Sequence, residues 1–197
     1  MSELFSIQLQ NRQQQGRDGV WLDLPTTTEQ VQAALRQIGI SSDNPQGLFI
    51  SGYFAEEEKR FAIPYNMVLA SNVDELNFLA SRLETLSTGE RAELNAALQV
   101  PQSELSSIGR ITDFPENVDY YVHLPDVTGT GQLGDYYLNR SGMVDMPEEW
   151  KGGIDTAQFG RYVAQQEQGV FTEYGYLVKS GDEWQKVYEG QPVPEEY

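Results

Sequence analysis

The chain has 197 residues, with 30 Asp and Glu against 13 Lys and Arg, a net charge of −17 and no cysteine. The missing cysteines exclude disulfides and thiolate zinc sites. The charge repels nucleic acid and anionic lipid, and suits a partner with a basic surface.

Disordered acidic tails lack aromatics, whereas aromatics make up 11% of this chain, with eleven Tyr; a folded protein with an acidic surface is expected. The length fits one ordinary domain or two to three small ones. The opening "MSELFSIQLQNRQQQG" lacks the basic start and apolar run of a signal peptide, and no apolar stretch nears the roughly eighteen residues of a membrane span. A soluble, cytoplasmic protein is expected.

In chain order, partial alternation of Leu4, Phe5, Ile7 and Leu9 predicts a strand over 3–11. "QQQGRDG" (13–19) predicts a turn, and "VWLDL" (20–24) a second strand. A helix follows, with Thr26, Thr27 and Thr28 as candidate N-caps, Glu29 spaced from Thr26 as in a capping box, an apolar face of Val31, Ala34, Leu35 and Ile38, and Gly39 as its stop. "GLFISGYFA" (47–55) predicts a third strand. Residues 1–64 therefore form an α+β domain of antiparallel sheet plus helix.

From 73 to about 110 the apolar period is helical. Leu76, Leu79, Ala80, Leu83 and Leu86 mark one helix. Ser87, with Glu90 three residues on, opens another, and "QSELSSIGRI" a third short one. Each is too short to be stable alone, so a packed helical middle domain is expected over 65–110.

Beyond 111 the pattern mixes again. "DYYVHL" (119–124) predicts a strand, "LGDYYLNRSG" (133–142) a short helix, and "PEEW" a helix opened by proline. "IDTAQFGRYVAQQEQ" (154–168) predicts a helix capped by Asp155, and "GVFTEYGYLV" (169–178) a strand. A C-terminal α+β domain is expected over 111–180, and the extension at 181–197 ends as a loose tail. The three segments carry net charges of −3, −3 and −11.

Several motifs invite chemistry. Gly129, Gly131 and Gly134 fit G-x-G-x-x-G, but Pro125 and Asp126 interrupt the preceding strand and "MVDMPEEW" is not the second strand a dinucleotide site needs. No window fits a calcium loop. The one histidine, His123, sits between Val122 and Leu124 and is expected to be structural. "EEE" at 56–58 runs into Lys59 and Arg60, as in a solvated turn. With no cysteine and one histidine, nucleophilic triads are poorly supported. A carboxylate-dependent hydrolase would need a buried acid pair. An electrostatic reading remains: at about one charge per 1.7 Å of duplex axis, seventeen charges match roughly 29 Å of DNA, although composition alone favours the plainer reading that the acidity serves solubility.

"GRDGVWLDLP" followed by an amphipathic helix resembles the N-terminal element of the ArdA antirestriction proteins. "LGDYYLNRSGMVDMPEEWKGGIDTAQFGRYV" resembles that family's C-terminal antirestriction segment, through Leu133, Gly134, Val144, Asp145, Pro147, Glu148, Ile154, Asp155, Phe159, Gly160 and Arg161. "FTEYGYLV" is similar to the strand that follows it, and "DELNFLASRLETLSTGERAELNAAL" to the helical middle. The extension from about 181 and the long "HLPDVTGTGQ" loop depart from the family pattern.

The resemblance implies an α+β fold in an elongated, curved chain of three small domains. It implies a homodimer, encoded on mobile elements in bacteria. It further implies a non-enzymatic mimic of B-form DNA that occupies the DNA-binding channel of type I restriction–modification enzymes, at their methyltransferase core. Restriction is blocked, and often modification. No cofactor, metal, nucleic acid or membrane is expected.

Asp113, Glu116, Asp119, Asp126, Asp135, Asp145, Glu148, Glu149 and Asp155 would stand in for phosphates. Asp74, Glu75, Glu84, Glu90, Glu93 and Glu104 would extend that array along the helical middle. Asp155 has helix capping as a rival role. Trp150 and Phe159 are expected in the core or a dimer contact, and Arg161 in an internal salt bridge. The alternatives are an acidic adaptor for another basic, DNA-binding protein, and the hydrolase.

Overall fold

The computed structural model describes residues 3–14, 18–41, 45–57, 60–101 and 103–194. The fold is α+β, with two small antiparallel sheets and several helices. Contacts gather into two compact units: Met1–Ser87, Glu104–Glu116 and Gln185–Tyr197 in one, Thr88–Ser103 and Asn117–Trp184 in the other. The helical middle expected over 65–110 is thus shared between units. So is the charge, because seventeen acids against eight bases fall in the first unit and thirteen against five in the second.

In the first unit, β1 (Phe5–Asn11) lies between β2 (Val20–Leu24) and β3 (Leu48–Phe54), both antiparallel to it. Period-two alternation buries Phe5, Ile7 and Leu9 on one face, with Leu22 and Leu24 of β2 and Ile50 of β3. The opposite face carries Gln8, Trp21 and Gly52 in register. Helix α1 (Thr28–Gln37) starts one residue later than expected. Thr27, one of the three candidate threonines, is its N-cap, and Gln30, not Glu29, completes the capping box. Gly39, at φ +70°, follows its end.

The stretch at 62–66 continues into α2 (Tyr65–Leu69). Helix α3 (Val73–Glu84) is capped by Asn72 and buries Leu76, Leu79 and Leu83. Helix α5 (Ile108–Thr112) is capped by Ser107 and packs on α3. Ahead of the expected loose tail at 190–197, the C-terminal extension is docked. Tyr188 packs edge-to-face on Phe78, 5.0 Å between centroids, and its backbone N–H donates to Asp113 at 2.6 Å. Glu195 and Glu196 lie outside the described residues, as do Glu58 and Lys59.

In the second unit, α4 (Thr88–Gln99) begins directly after Ser87 and packs on a sheet of order β4-β6-β5. Its strands are β4 (Tyr121–Leu124), β5 (Val170–Thr172) and β6 (Gly175–Lys179). The single strand predicted over 169–178 is therefore a tight hairpin. Gly175, at φ +118°, and the Thr172 hydroxyl, donating to Gly175 O at 2.8 Å, make the turn. Ahead of β4, Val118–Tyr120 form a 3-10 turn, not strand. His123 is structural, its Nε2 lying 2.7 Å from Tyr174 O.

Helix α6 (Thr130–Asp135) starts three residues earlier than expected and runs on as a π-helical turn, Tyr136–Arg140. Helix α7 (Glu148–Lys151) is a single turn with Pro147 one place before its first residue. Helix α8 (Thr156–Glu167) is capped by Asp155 as predicted. Among the described residues, no helix is long and apolar enough to cross a membrane.

Candidate functional site

The segment holding Asp145, Glu148, Glu149 and Asp155 is positioned by the crossing of α6 and α8. Gly134 and Gly160 bring the two backbones together. A Cβ on Gly134 would stand 1.9 Å from Thr156 O, and one on Gly160 1.8 Å from Thr130 O. Gly134 is therefore a packing residue and the G-x-G-x-x-G spacing is incidental: α6 is capped by Gly129 and lies against a helix rather than a ligand. Under the crossing, Leu133 and Tyr176 are fully buried. The hydroxyls of Tyr137 and Tyr176 both donate to the Glu167 carboxylate, the second at 3.0 Å. Burial and that carboxylate raise both phenols well above their ordinary range.

Four carboxylates of the array project from this frame differently. Asp155 is exposed, yet its Oδ1 accepts from the N–H groups of Ala157 at 2.9 Å and Gln158 at 3.0 Å, so capping is its demonstrated role. Glu148 is 83% exposed at its side chain and takes Lys151 Nζ at 2.6 Å. Asp145 and Glu149 are exposed, with no hydrogen bond or ion pair among the described residues.

Elsewhere in the second unit, Asp119 and Asp126 are exposed and unpaired among the described residues. Asp135 is held by Asn139 Nδ2 at 2.8 Å and Arg140 at 3.2 Å. Glu90 is half-buried in the first turn of α4. Glu93, one turn on, is half-buried with its Oε1 shut off from solvent and without a partner. Burial, then the neighbouring Glu90 and Asp119, push its pKa up to about 8. It is largely protonated at neutral pH and drops out as a charge-bearing phosphate mimic.

In the first unit, Asp74 and Glu75 stand exposed and unpaired, among the described residues, in the first turn of α3. Glu84 is half-buried in the last turn of α3. Glu116 is exposed but paired with Arg82 at 2.5 Å. Glu104 is half-buried against Arg110 Nη1.

Asp113 departs most from expectation. It is 0% exposed and accepts the backbone N–H groups of Tyr188 at 2.6 Å and Glu189 at 3.3 Å. Arg110 Nε reaches Glu189 at 2.9 Å, and Arg82 lies over the Tyr188 ring at 5.1 Å. The extension thus consumes Asp113 and covers it. Hydrogen bonds from Arg110 and Lys186 hold the Glu189 carboxyl below the usual range.

One further expectation narrows and another is corrected. Trp150 is 66% exposed, which removes the core and leaves a dimer contact as its expected place, and Met143 at 74% and Tyr162 at 59% are exposed in the same part of the chain. Phe159 is half-buried. Arg161 is exposed, and no carboxylate pairs with it among the described residues. Sequence reasoning missed the exposed acids Glu3, Asp23, Glu29, Glu173, Asp182 and Glu183. Their signal was weak, since each stands alone among neutral residues or, for 182–183, past the expected end of the fold.

Of that array, six carboxylates unpaired among the described residues, Asp74, Glu75, Asp119, Asp126, Asp145 and Glu149, therefore stand exposed on helices, turns and irregular segments of both units. No curated protein matches the chain. The sequence model of the family described as antirestriction protein (ArdA) matches residues 15–178, more than four-fifths of the chain. That span takes in β2 and β3 of the first sheet, nearly all of the second sheet, the α6–α8 crossing and all six free carboxylates; β1 precedes it, and it stops just short of the extension. The chain belongs to the ArdA family of antirestriction proteins, which inhibit restriction enzymes rather than act as enzymes themselves.

Proposed function

We propose that the protein acts as a mimic of B-form DNA. It occupies the DNA-binding channel of a type I restriction–modification enzyme at the methyltransferase core, and so blocks restriction, and modification with it. One observation carries this proposal: the exposed, unpaired carboxylates are spread over both units rather than gathered in a cleft. A channel built for duplex phosphates meets roughly one charge per 1.7 Å of axis, so spread carboxylates satisfy it better than a clustered set. Two copies present the array twice over, and exposed Met143, Trp150 and Tyr162 are the apolar surface available for a contact between copies.

Competition between the protein and duplex DNA for a type I methyltransferase, at two salt concentrations, tests the proposal. The expected outcome is displacement of DNA at low salt, weakening steeply as salt rises. Failure to displace DNA at low salt would favour an adaptor for a different basic protein.

A further inference from the structure

We infer that the outer face of the first unit's sheet is a docking site for an arginine side chain of a basic protein partner. The inference rests on the proposed function insofar as that partner is a DNA-binding, hence Arg- and Lys-rich, protein.

The face is built around Trp21, whose indole is 49% exposed. In the sheet register Trp21 stands opposite Gln8, and Gln8 opposite Gly52. The indole reaches across β1 to β3: its Cη2 lies 3.0 Å from where a Cβ of Gly52 would be. A methyl group there would press on the ring, which would have to give by a few tenths of an ångström. Two residues along β3 on the same face, Phe54 is 57% exposed, and the Tyr65 hydroxyl donates to Ser51 O at 3.3 Å on the same strand. Aromatic surface of this size on an antiparallel sheet's solvent side is more than isolated exposure.

Carboxylates border the aromatic surface. Ser6 Oγ lies 2.9 Å from Asp23 Oδ1 and 3.3 Å from Glu3 Oε1, so one hydroxyl proton serves two acids. Neither carboxylate has a cationic partner among the described residues. Beside β2 the surface dips into an open concavity of about 420 Å³, lined by Glu3, Trp21, Asp23, Thr26 and Gln30.

A planar guanidinium can lie on the indole face while its edge donates to the two carboxylates, which a lysine ammonium cannot do in one pose. Among the described residues lining the concavity the charged groups are both acids, and one wall is the Trp21 indole, so a basic side chain is the complementary occupant.

The test uses the full chain, with tetra-arginine and tetra-lysine peptides as probes and the Trp21 indole N–H resonance as the readout. Both peptides will associate with a −17 protein; only a specific site distinguishes them at Trp21. Tetra-arginine is expected to shift that resonance at about fivefold lower concentration than tetra-lysine. Asp23→Asn should weaken the effect, and Glu183→Gln, at an exposed acid outside the array, should leave it unchanged. Equal shifts from the two peptides, or an unmoved Trp21 resonance, would overturn the inference.

In the methyltransferase competition, Trp21→Ala should weaken displacement about fivefold and Trp21→Phe should recover most of it. Equality of Trp21→Ala with the wild type would overturn the inference as well. If the wild type itself displaces no DNA, the proposed function falls, and the peptide comparison still decides the docking site.

Discussion

Glu93 and Asp113 show how far a carboxylate's place in sequence falls short of its role. Glu93 reads as one of many acids on an amphipathic helix, but its Oε1 is buried and unpartnered. With its folded pKa raised to about 8, its ionisation opposes folding. The protonated form carries no penalty below the unfolded value of about 4.3. Stability is lost as pH rises from there through about 8. Glu93→Gln should therefore raise the melting temperature at pH 8.5 and change it little at pH 5, as read by thermal denaturation at both values. Equal effects at the two pH values would show that burial of its charge is not the cause.

Asp113 reads as surface charge because acids are rarely buried unless partnered. Its partners are backbone N–H groups 75 and 76 residues away, a separation no local pattern reveals. Asp113→Ala leaves two donors unsatisfied and should cost about 2 kcal/mol. It should also release the extension, so limited proteolysis should cut within 185–194 sooner than in the wild type.

At the scale of elements, strong periodicity was legible and backbone specials were not. The burial of Leu76, Leu79 and Leu83 and the Asp155 cap followed from spacing alone. The β5–β6 hairpin was hidden because its turn, "EY" before Gly175, lacks the usual Asn-Gly or Asp-Gly signal. The π-helical turn after α6 has no sequence signature either. Gly134 and Gly160 look like ordinary helix-weakening residues until α6 and α8 are seen to cross at them. Gly160→Ala forces a methyl group into Thr130 O and should destabilise the second unit by about 3 kcal/mol, measured by denaturant unfolding. An alanine tolerated there without loss would mean the helices can separate freely.

For the whole molecule, the segment charges of −3, −3 and −11 suggested one dominant acidic end, whereas folding redistributes charge nearly evenly between two units. Six of the fifteen array members, Asp74, Glu75, Asp119, Asp126, Asp145 and Glu149, are exposed and unpaired among the described residues, at helix starts, turns or an irregular segment where solvent reaches them. Of the others, some have local partners, such as Lys151 for Glu148, and some have distant ones, such as Arg82 for Glu116.

If inhibition is summed electrostatics, no single one of the six free carboxylates is indispensable. Each exposed charge contributes about 0.5 kcal/mol, so a single amide substitution should weaken inhibition only about twofold. All six together should remove about 3 kcal/mol, roughly a hundredfold, and flatten the salt dependence. The most direct measurement is the inhibitory concentration against a type I enzyme, across salt. It compares each single variant with the one combining Asp74→Asn, Glu75→Gln, Asp119→Asn, Asp126→Asn, Asp145→Asn and Glu149→Gln. Near-neutral singles with a collapsed sextuple are the predicted result. One single variant that abolishes inhibition with its fold intact, or a sextuple variant as potent as the wild type, would contradict distributed charge mimicry.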